Sequence, residues 1–340
     1  MFEAKKRPKI IREKDYRGGS LNKPKVYVSR IIPETGMNIL KENCEVTVNQ
    51  KDEQLSKREL IENLKDKDGA LVMLSDEIDR ELIEVCPDLK AVSNLAVGYN
   101  NIDVEAAREA GIIATNVPEV LTEATAELTW ALLMAVARRV VEADKFLRAG
   151  KFDGWGPQLL MGNDIYGKKL GIIGFGDIGQ AVARKAAGFD MEIAYNKRTR
   201  LSMTTEKRLG VEYKNIPQLL AESDYITINA PLNSESYHLI GTEELQIMKE
   251  TAYIINTGRG PIIDEKALVE ALKEGVIAGA ALDVFENEPD VEPGLLELDN
   301  VVLTPHIGSA SKEARYELAE KAASDLVAAL TGGEVKNPVT

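Results

Sequence analysis

The chain has 340 residues, a formal net charge of −13 and a hydrophobic content of 44%. That length suits about two domains of ~100–200 residues, with enough apolar side chains for buried cores. The acidic balance argues against nucleic acid as the main partner, and no apolar run approaches the ~20 residues that cross a bilayer, so no membrane role is expected.

Residues 1–22 read as an N-terminal extension ending in Gly18-Gly19-Ser20, basic and polar, without the apolar centre of a secretory signal. From Lys25 the pattern becomes strand then helix. Val26–Val28, Ala70–Met73 and Ala91–Ser93 are predicted strands, a helix starts at Pro33-Glu-Thr, and another covers Val104–Ala110. Such alternation predicts a parallel sheet covered by helices. Cys44 and Cys86 have no metal-ligand spacing and make no disulfide framework; a reducing cytoplasm is the simplest reading. Glu119 to Leu147 reads as one long helix without Gly or Pro. A second strand–helix series follows, with strands at Leu170–Ile173, Glu192–Tyr195, Tyr225–Asn229, Ala252–Asn256, Gly279–Leu282 and Val301–Leu303. A last helix over Lys312–Leu330 is expected to return to the first domain, which would then be built from both ends of the chain.

The segment Leu170–Gly179 ends an apolar run in Gly174-x-Gly176-x-x-Gly179 and opens a helical pattern. This is the fingerprint of a dinucleotide site. Gly174 allows the tight turn, Gly176 lets backbone approach a pyrophosphate, and Gly179 lets helix pack on strand. The helix N-terminus adds free N–H groups and a positive dipole end. NAD-specific sequences usually carry Asp or Glu at the end of the next strand, for the ribose hydroxyls. Here the run is Tyr195-Asn-Lys197-Arg198-Thr199-Arg200, with no acid. Lys197, Arg198 and Arg200 could neutralise a 2′-phosphate, and Thr199 could donate to it. NADP is therefore expected over NAD, with NAD still possible.

Three later segments place polar groups beyond the carboxyl ends of apolar strands, where ligands bind in open α/β sheets. They are Ile255–Pro261 with Arg259, Ala281–Pro289 with Glu286 and Glu288, and Leu303–Ser309 with His306. An Arg, a Glu and a His suit carbonyl reduction. The guanidinium holds a carboxylate, the imidazole gives a proton to the carbonyl oxygen, and the Glu fixes the imidazole tautomer. Of the two histidines, His238 precedes an apolar pair and reads as structural, leaving His306 as the acid/base candidate. Glu288 is preferred over its neighbour Glu286. No metal is needed, because Arg259 and His306 supply the electrophilic help.

These segments, with Leu95–Asp103 and Glu123–Glu127, make the chain from about Lys23 resemble the D-isomer-specific 2-hydroxyacid dehydrogenase family. A narrower resemblance, through Phe152–Gly162, Leu74-Ser-Asp76 and the basic Lys197–Thr199, is to the glyoxylate/hydroxypyruvate reductases. The resemblance implies an α/β fold of two Rossmann-like domains: a flavodoxin-like substrate domain (23–117 and 305–340) and an inserted NAD(P)-binding Rossmann domain (118–304). It implies Arg259, Glu288 and His306 as the catalytic set. The implied cofactor contacts are Gly174, Phe175, Gly176, Asp177, Ile178, Gly179, Lys197, Arg198, Thr199, Pro231, Thr257, Gly258, Arg259, Asp283, His306 and Gly308. The implied substrate contacts are Leu74, the backbone N–H groups at Val97-Gly98, Arg259 and His306. The expected reaction is NAD(P)H-dependent reduction of a small 2-oxoacid to the D-2-hydroxyacid: glyoxylate to glycolate, hydroxypyruvate to D-glycerate. D-3-phosphoglycerate or another D-2-hydroxyacid is the alternative. A dinucleotide-sensing corepressor or scaffold is the non-enzymatic one, for which no surface recognition feature is seen. Relatives are usually dimers, and the long helix and the Trp155 loop are the expected interface parts.

Overall fold

The computed structural model describes residues 23–118 and 120–340. Residues 1–22, read above as an extension, and Glu119 lie outside them. The chain divides into two compact units. The described residues up to Val120 join Ser311–Thr340 in one, and Leu121–Ala310 make the other. The expected divisions at 117/118 and 304/305 both fall early. In particular, His306 and Gly308 belong to the second unit, because Asp283 holds their backbone, as detailed below.

The first unit carries strands β1 (Lys25–Val28), β2 (Glu45–Val48), β3 (Gly69–Val72), β4 (Ala91–Asn94) and β5 (Ile113–Thr115). They form one parallel sheet in the order β2-β1-β3-β4-β5, the flavodoxin-like winding. Strands β3 and β4 are buried along their whole length, as expected where helices cover both faces. The short β2 and β5 were not anticipated: β2 is a half-exposed edge strand and β5 has only three residues, so neither shows a long apolar run. The helices are α1 (Glu34–Asn43), α2 (Lys57–Leu64), α3 (Arg80–Val85), α4 (Val104–Ala110) and, from the far end of the chain, α13 (Lys312–Thr331). Helix α4 shows why local sequence is decisive at helix ends. The Asp103 carboxylate accepts the Ala106 N–H at 2.9 Å, a cap worth ~1 kcal/mol. Gly111 ends the helix in the left-handed region, φ 73°. Helices α1 and α13 touch closely at Gly36: a Cβ there would lie 2.4 Å from the Ala319 carbonyl oxygen.

The second unit carries β6 (Lys169–Ile173), β7 (Glu192–Asn196), β8 (Val211–Tyr213), β9 (Tyr225–Ile228), β10 (Tyr253–Asn256), β11 (Gly279–Leu282) and β12 (Val301–Leu303). Their order, β12-β11-β10-β9-β6-β7-β8, is again all parallel. The winding reverses between β6 and β9, the switch point at which such sheets bind ligands. Its helices are α5 (Thr122–Ala137), α6 (Val140–Arg148), α7 (Asp177–Ala186), α8 (Met203–Leu209), α9 (Ile216–Glu222), α10 (Thr242–Ile247), α11 (Glu265–Lys273) and α12 (Pro293–Leu296). The edge strand β8 is short and was also missed.

The single helix expected over 119–147 is thus two. No Gly or Pro marks the break; tertiary hydrogen bonding makes it. The Ala137 carbonyl, which a continuous helix would use internally, accepts the Asn163 N–H at 2.8 Å instead. Arg139 turns the chain with φ 53°, and its guanidinium bonds Glu142 twice at 2.7 Å. Helix α5 is a core helix. Its Trp130 donates from Nε1 to the Val182 carbonyl on α7 at 3.1 Å. Helix α6, by contrast, has no buried residue.

Candidate active site

The glycine turn after β6 meets the backbone requirements expected at Gly174 and Gly179. Gly174 sits at φ 89°, and a Cβ there would lie 2.4 Å from the Ala230 backbone nitrogen. A Cβ on Gly179 would lie 2.2 Å from the Gly174 carbonyl oxygen, so this residue sets the approach of α7 to β6. At Gly176 a Cβ would meet nothing within 4 Å; this glycine faces open space. Gly176 is also the N-cap of α7, and no side chain caps that end. The first-turn N–H groups at Asp177, Ile178 and Gly179 therefore remain available to an anion. The Phe175 ring is buried and packs on Tyr195 at a centroid distance of 4.6 Å. Only its backbone is left for a ligand.

Further along the same edge, the Asn229 Oδ1 and Thr227 Oγ1 atoms are buried without a partner. Thr129 donates its hydroxyl to the Thr125 carbonyl at 2.8 Å. Thr257 must then donate to Thr129, 2.8 Å away, while accepting from Asn229 Nδ2 at 3.3 Å. The orphaned Asn229 oxygen beside the glycine turn, and the open face of Gly176, fit a polar dinucleotide. Pro231 begins an exposed loop whose turn is closed by Ser236 Oγ donating to the Pro231 carbonyl at 2.8 Å.

The basic run after β7 divides. Arg200 is committed elsewhere: Nε and Nη2 each donate to Glu206 at 2.8 Å, and the guanidinium lies 5.3 Å from the Tyr213 ring centroid. It is thus a loop brace and no longer a candidate for a 2′-phosphate. Glu206 also accepts the Tyr195 hydroxyl at 2.7 Å, which leaves this nearby acid poorly placed to serve ribose hydroxyls. Lys197, Arg198 and Thr199 carry no side-chain hydrogen bond or ion pair among the described residues, and Arg198 and Thr199 are exposed.

The three catalytic candidates come together in the second unit. Glu288 Oε2 meets His306 Nδ1 at 2.7 Å, and Glu288 Oε1 accepts the Phe285 N–H at 3.0 Å. With Nδ1 held by the carboxylate, Nε2 is the free nitrogen. The rival acid is used otherwise: Glu286 Oε1 pairs with His238 Nε2 at 2.9 Å. Burial would raise the Glu288 carboxyl, but the His306 bond and charge, the Phe285 N–H and the Arg259 charge outweigh it and hold it below the usual range. Arg259 is shifted down by burial, with the Glu288 charge opposing. Its one side-chain bond, from Nη1 to the Gly258 carbonyl at 2.9 Å, leaves most of its donors free.

Two buried side chains hold this set in place. Asn256, at the end of β10, donates from Nδ2 to the Arg259 carbonyl at 3.0 Å and accepts the Gly258 N–H on Oδ1 at 3.0 Å. Asp283, at the end of β11, accepts Thr304 Oγ1 at 2.6 Å, the Ile307 N–H at 2.8 Å and the Gly308 N–H at 2.7 Å. Its carbonyl takes the His306 N–H at 2.9 Å. His306 is thereby kept at φ 52°, a backbone region that side-chain-bearing residues occupy only when their surroundings impose it. Burial pushes the Asp283 carboxyl up, although these donors oppose the rise. Asp283 was anticipated as a cofactor contact; its observed bonds brace the His306 loop. Asn256 was read only as part of the Ile255–Pro261 segment, with no role of its own; its signal is a polar residue closing an apolar strand.

The first unit carries the remaining substrate-contact candidates. Leu74 is half-buried after β3, Val97 is exposed and Gly98 half-buried. The Asn94 Nδ2 donates to the Gly98 carbonyl at 2.6 Å and Asn116 Nδ2 to the Val97 carbonyl at 2.7 Å. Neither the Val97 nor the Gly98 N–H has an acceptor among the described residues. Among these residues there is also no cluster of His, Cys, Asp and Glu able to hold a metal ion, and no helix long and apolar enough to cross a membrane.

The Glu206 cluster gives a pH-dependent prediction. Bonds from Arg200 first, then Tyr195, pull its carboxyl from 4.5 down to about 2. A depressed acid stabilises the fold above its unfolded pKa and loses that contribution as pH falls through its folded one. Glu206→Gln should therefore lower Tm by a few degrees near neutrality, and the gap to wild type should close towards about pH 2. Thermal unfolding across pH checks this; an offset unchanged at the acid end would show that the charge is not what stabilises the loop.

Residues 130–308 match the family described as D-isomer specific 2-hydroxyacid dehydrogenase, NAD binding domain. The chain is 50% identical over 317 residues to a glyoxylate reductase of Thermococcus onnurineus, covering 92% of this chain and 94% of that one. It is 51% identical over 310 residues to a glyoxylate reductase of Pyrococcus furiosus, covering 90% and 92%. Among solved structures, an NADPH-dependent glyoxylate/hydroxypyruvate reductase of Sinorhizobium meliloti, in complex with NADP and malonate, aligns with TM-score 0.82 and 33% identity over 94% of this chain and 97% of that one. A Thermus thermophilus protein aligns with TM-score 0.88 and 42% identity over 93% and 100%. With the paired Glu288 and His306, the neighbouring Arg259 and the glycine turn in one unit, the chain belongs to the D-isomer-specific 2-hydroxyacid dehydrogenase family.

Proposed function

We propose that the protein reduces glyoxylate to glycolate and hydroxypyruvate to D-glycerate, with NADPH as the preferred reductant. The observation that carries this reading is the Glu288–His306 bond beside the desolvated Arg259; the identity to glyoxylate reductases supports the substrate class. When bound, the reduced nicotinamide supplies the hydride. His306 Nε2 gives its proton to the carbonyl oxygen, and Glu288, bonded to Nδ1, holds the imidazole with Nε2 outward. Arg259 polarises the carbonyl and holds the substrate carboxylate, and the Val97 and Gly98 amides take carboxylate oxygens. Thr257, Gly258 and Gly308 are further nucleotide contacts in this reading. Two buried free thiols suit a reducing cytoplasm.

Preference for NADP rests on Lys197 and Arg198, which no acid of the described residues neutralises, and on Glu206 being consumed by Arg200 and Tyr195. A steady-state panel of 2-oxoacids with NADPH and NADH should show glyoxylate and hydroxypyruvate preferred with NADPH, and the Lys197→Asp/Arg198→Ala double variant should move the cofactor ratio towards NADH. A preference for phosphohydroxypyruvate would overturn the substrate, and an unmoved ratio would make the basic run incidental. His306→Ala should lower kcat by about 10²–10⁴-fold while NADPH binding, followed by fluorescence titration, is retained; unaltered turnover would remove the acid role.

The same reading includes a homodimer. Exposed apolar side chains concentrate on α6 and the following loop: Val140 (53%), Leu147 (60%), Phe152 (53%), Trp155 (85%) and Met161 (62%), more than scattered surface residues require. Light scattering should give twice the chain mass, and Leu147→Asp with Trp155→Ala should shift it to the monomer.

A further inference from the structure

The first unit orders two backbone amides by holding the carbonyls behind them. In a trans peptide the C=O and the next residue's N–H point in opposite directions, and among the described residues the one cis bond is elsewhere. The Ala96 carbonyl accepts the Val117 N–H at 2.9 Å, so the Val97 N–H points away from the 116–117 segment. The Val97 carbonyl accepts Asn116 Nδ2 at 2.7 Å, so the Gly98 N–H points away from that segment too. Two successive amides thus face the same side, with no acceptor among the described residues. Such a pair is an anion cradle. Asn116 is buried, and its place is fixed from beyond β5: its N–H donates to the Asn337 carbonyl at 3.3 Å, and the Val339 N–H to the Ala114 carbonyl at 2.8 Å. Asp325 on α13 ties this tail down, accepting the Lys336 N–H at 2.9 Å and Asn337 Nδ2 at 2.7 Å.

We propose that Asn116 is a positioning residue: by holding the Val97 carbonyl it aims the Gly98 amide at the substrate carboxylate. It touches no reacting atom and acts through the cradle. The inference rests on the 2-oxoacid reading above. A carboxylate is held alike before and during hydride transfer, so a weakened cradle raises KM and leaves kcat nearly intact.

The test compares wild type with Asn116→Ala and Asn116→Asp. The Asp variant keeps the shape but sets an acceptor against the Val97 carbonyl. The expected result is a rise in KM for glyoxylate of about tenfold, the loss of one hydrogen bond, with kcat within about twofold and NADPH affinity unchanged. Glyoxal, a carbonyl substrate without a carboxylate, should be turned over equally by all three proteins. Oxalate, which binds without turnover, should bind the variants about tenfold more weakly. An unchanged KM and oxalate affinity, or an equal loss with glyoxal, overturns the proposal. A wild-type measurement covers variants that fail to fold: in 15N-glycine-labelled protein the Gly98 amide should shift on oxalate addition, and no shift overturns the cradle. Should wild type reduce no 2-oxoacid yet show the Gly98 shift, the functional reading fails and the cradle stands.

Discussion

The buried carboxylate of Asp283 is the constraint on which the catalytic geometry depends. It carries charge into the carboxyl end of a parallel sheet and is satisfied by three donors from one short loop, with the His306 charge as a lesser help. A buried charge is tolerated only when its lone pairs are used, so the loop must present those donors and takes one backbone path. That path includes the left-handed conformation at His306, which costs free energy that the surrounding bonds offset. The imidazole thus reaches Glu288 because the backbone beneath it has no alternative.

A second placement follows the same logic. Asn256 satisfies both ends of its carboxamide within the turn that it starts, and in doing so sets the Arg259 carbonyl. Arg259 keeps a charge in a desolvated place with Glu288 as the main opposing charge. Removing either partner would leave the other costly to bury. The Arg, Glu and His therefore form a coupled electrostatic group, in which the depressed Glu288 carboxyl records the cationic surroundings that a bound carboxylate would also meet.

Much of this was legible in the sequence, and the reasons differ by residue. Gly174 and Gly179 were readable because each needs the absence of a Cβ for a separate geometric reason, a left-handed turn and a close helix–strand approach, and both reasons are met. Glu288 was preferred over Glu286, in line with the family resemblance, and the structure gives Glu286 its own histidine, His238. Strands with uninterrupted apolar runs announced themselves, whereas β2, β5 and β8 are edge strands whose apolar residues are broken by Glu or Thr. The break between α5 and α6 had no local signal because a carbonyl was taken by a residue distant in sequence, Asn163. Arg200 looked like a phosphate ligand for the same reason. Its partner Glu206 lies on the next helix, and composition of the run alone could not show the pairing.

The residues that sequence reasoning missed share one property. Asn94, Asn116 and Asn256 are buried carboxamides ending or following apolar strands, Asn101 is buried in the loop between β4 and α4, and each bonds backbone carbonyls or amides of a functional loop. Asn101 extends the set by donating to the Met73 and Asp76 carbonyls at 3.1 and 2.9 Å, on either side of Leu74 and Ser75. A neutral side chain with both a donor and an acceptor can close a loop without importing charge, which suits positions next to an anionic substrate: a carboxylate in their place would repel it, and an ammonium would compete for it. Asparagine in this chain is therefore the residue that shapes the loops, while arginine, glutamate and histidine act on what the loops hold.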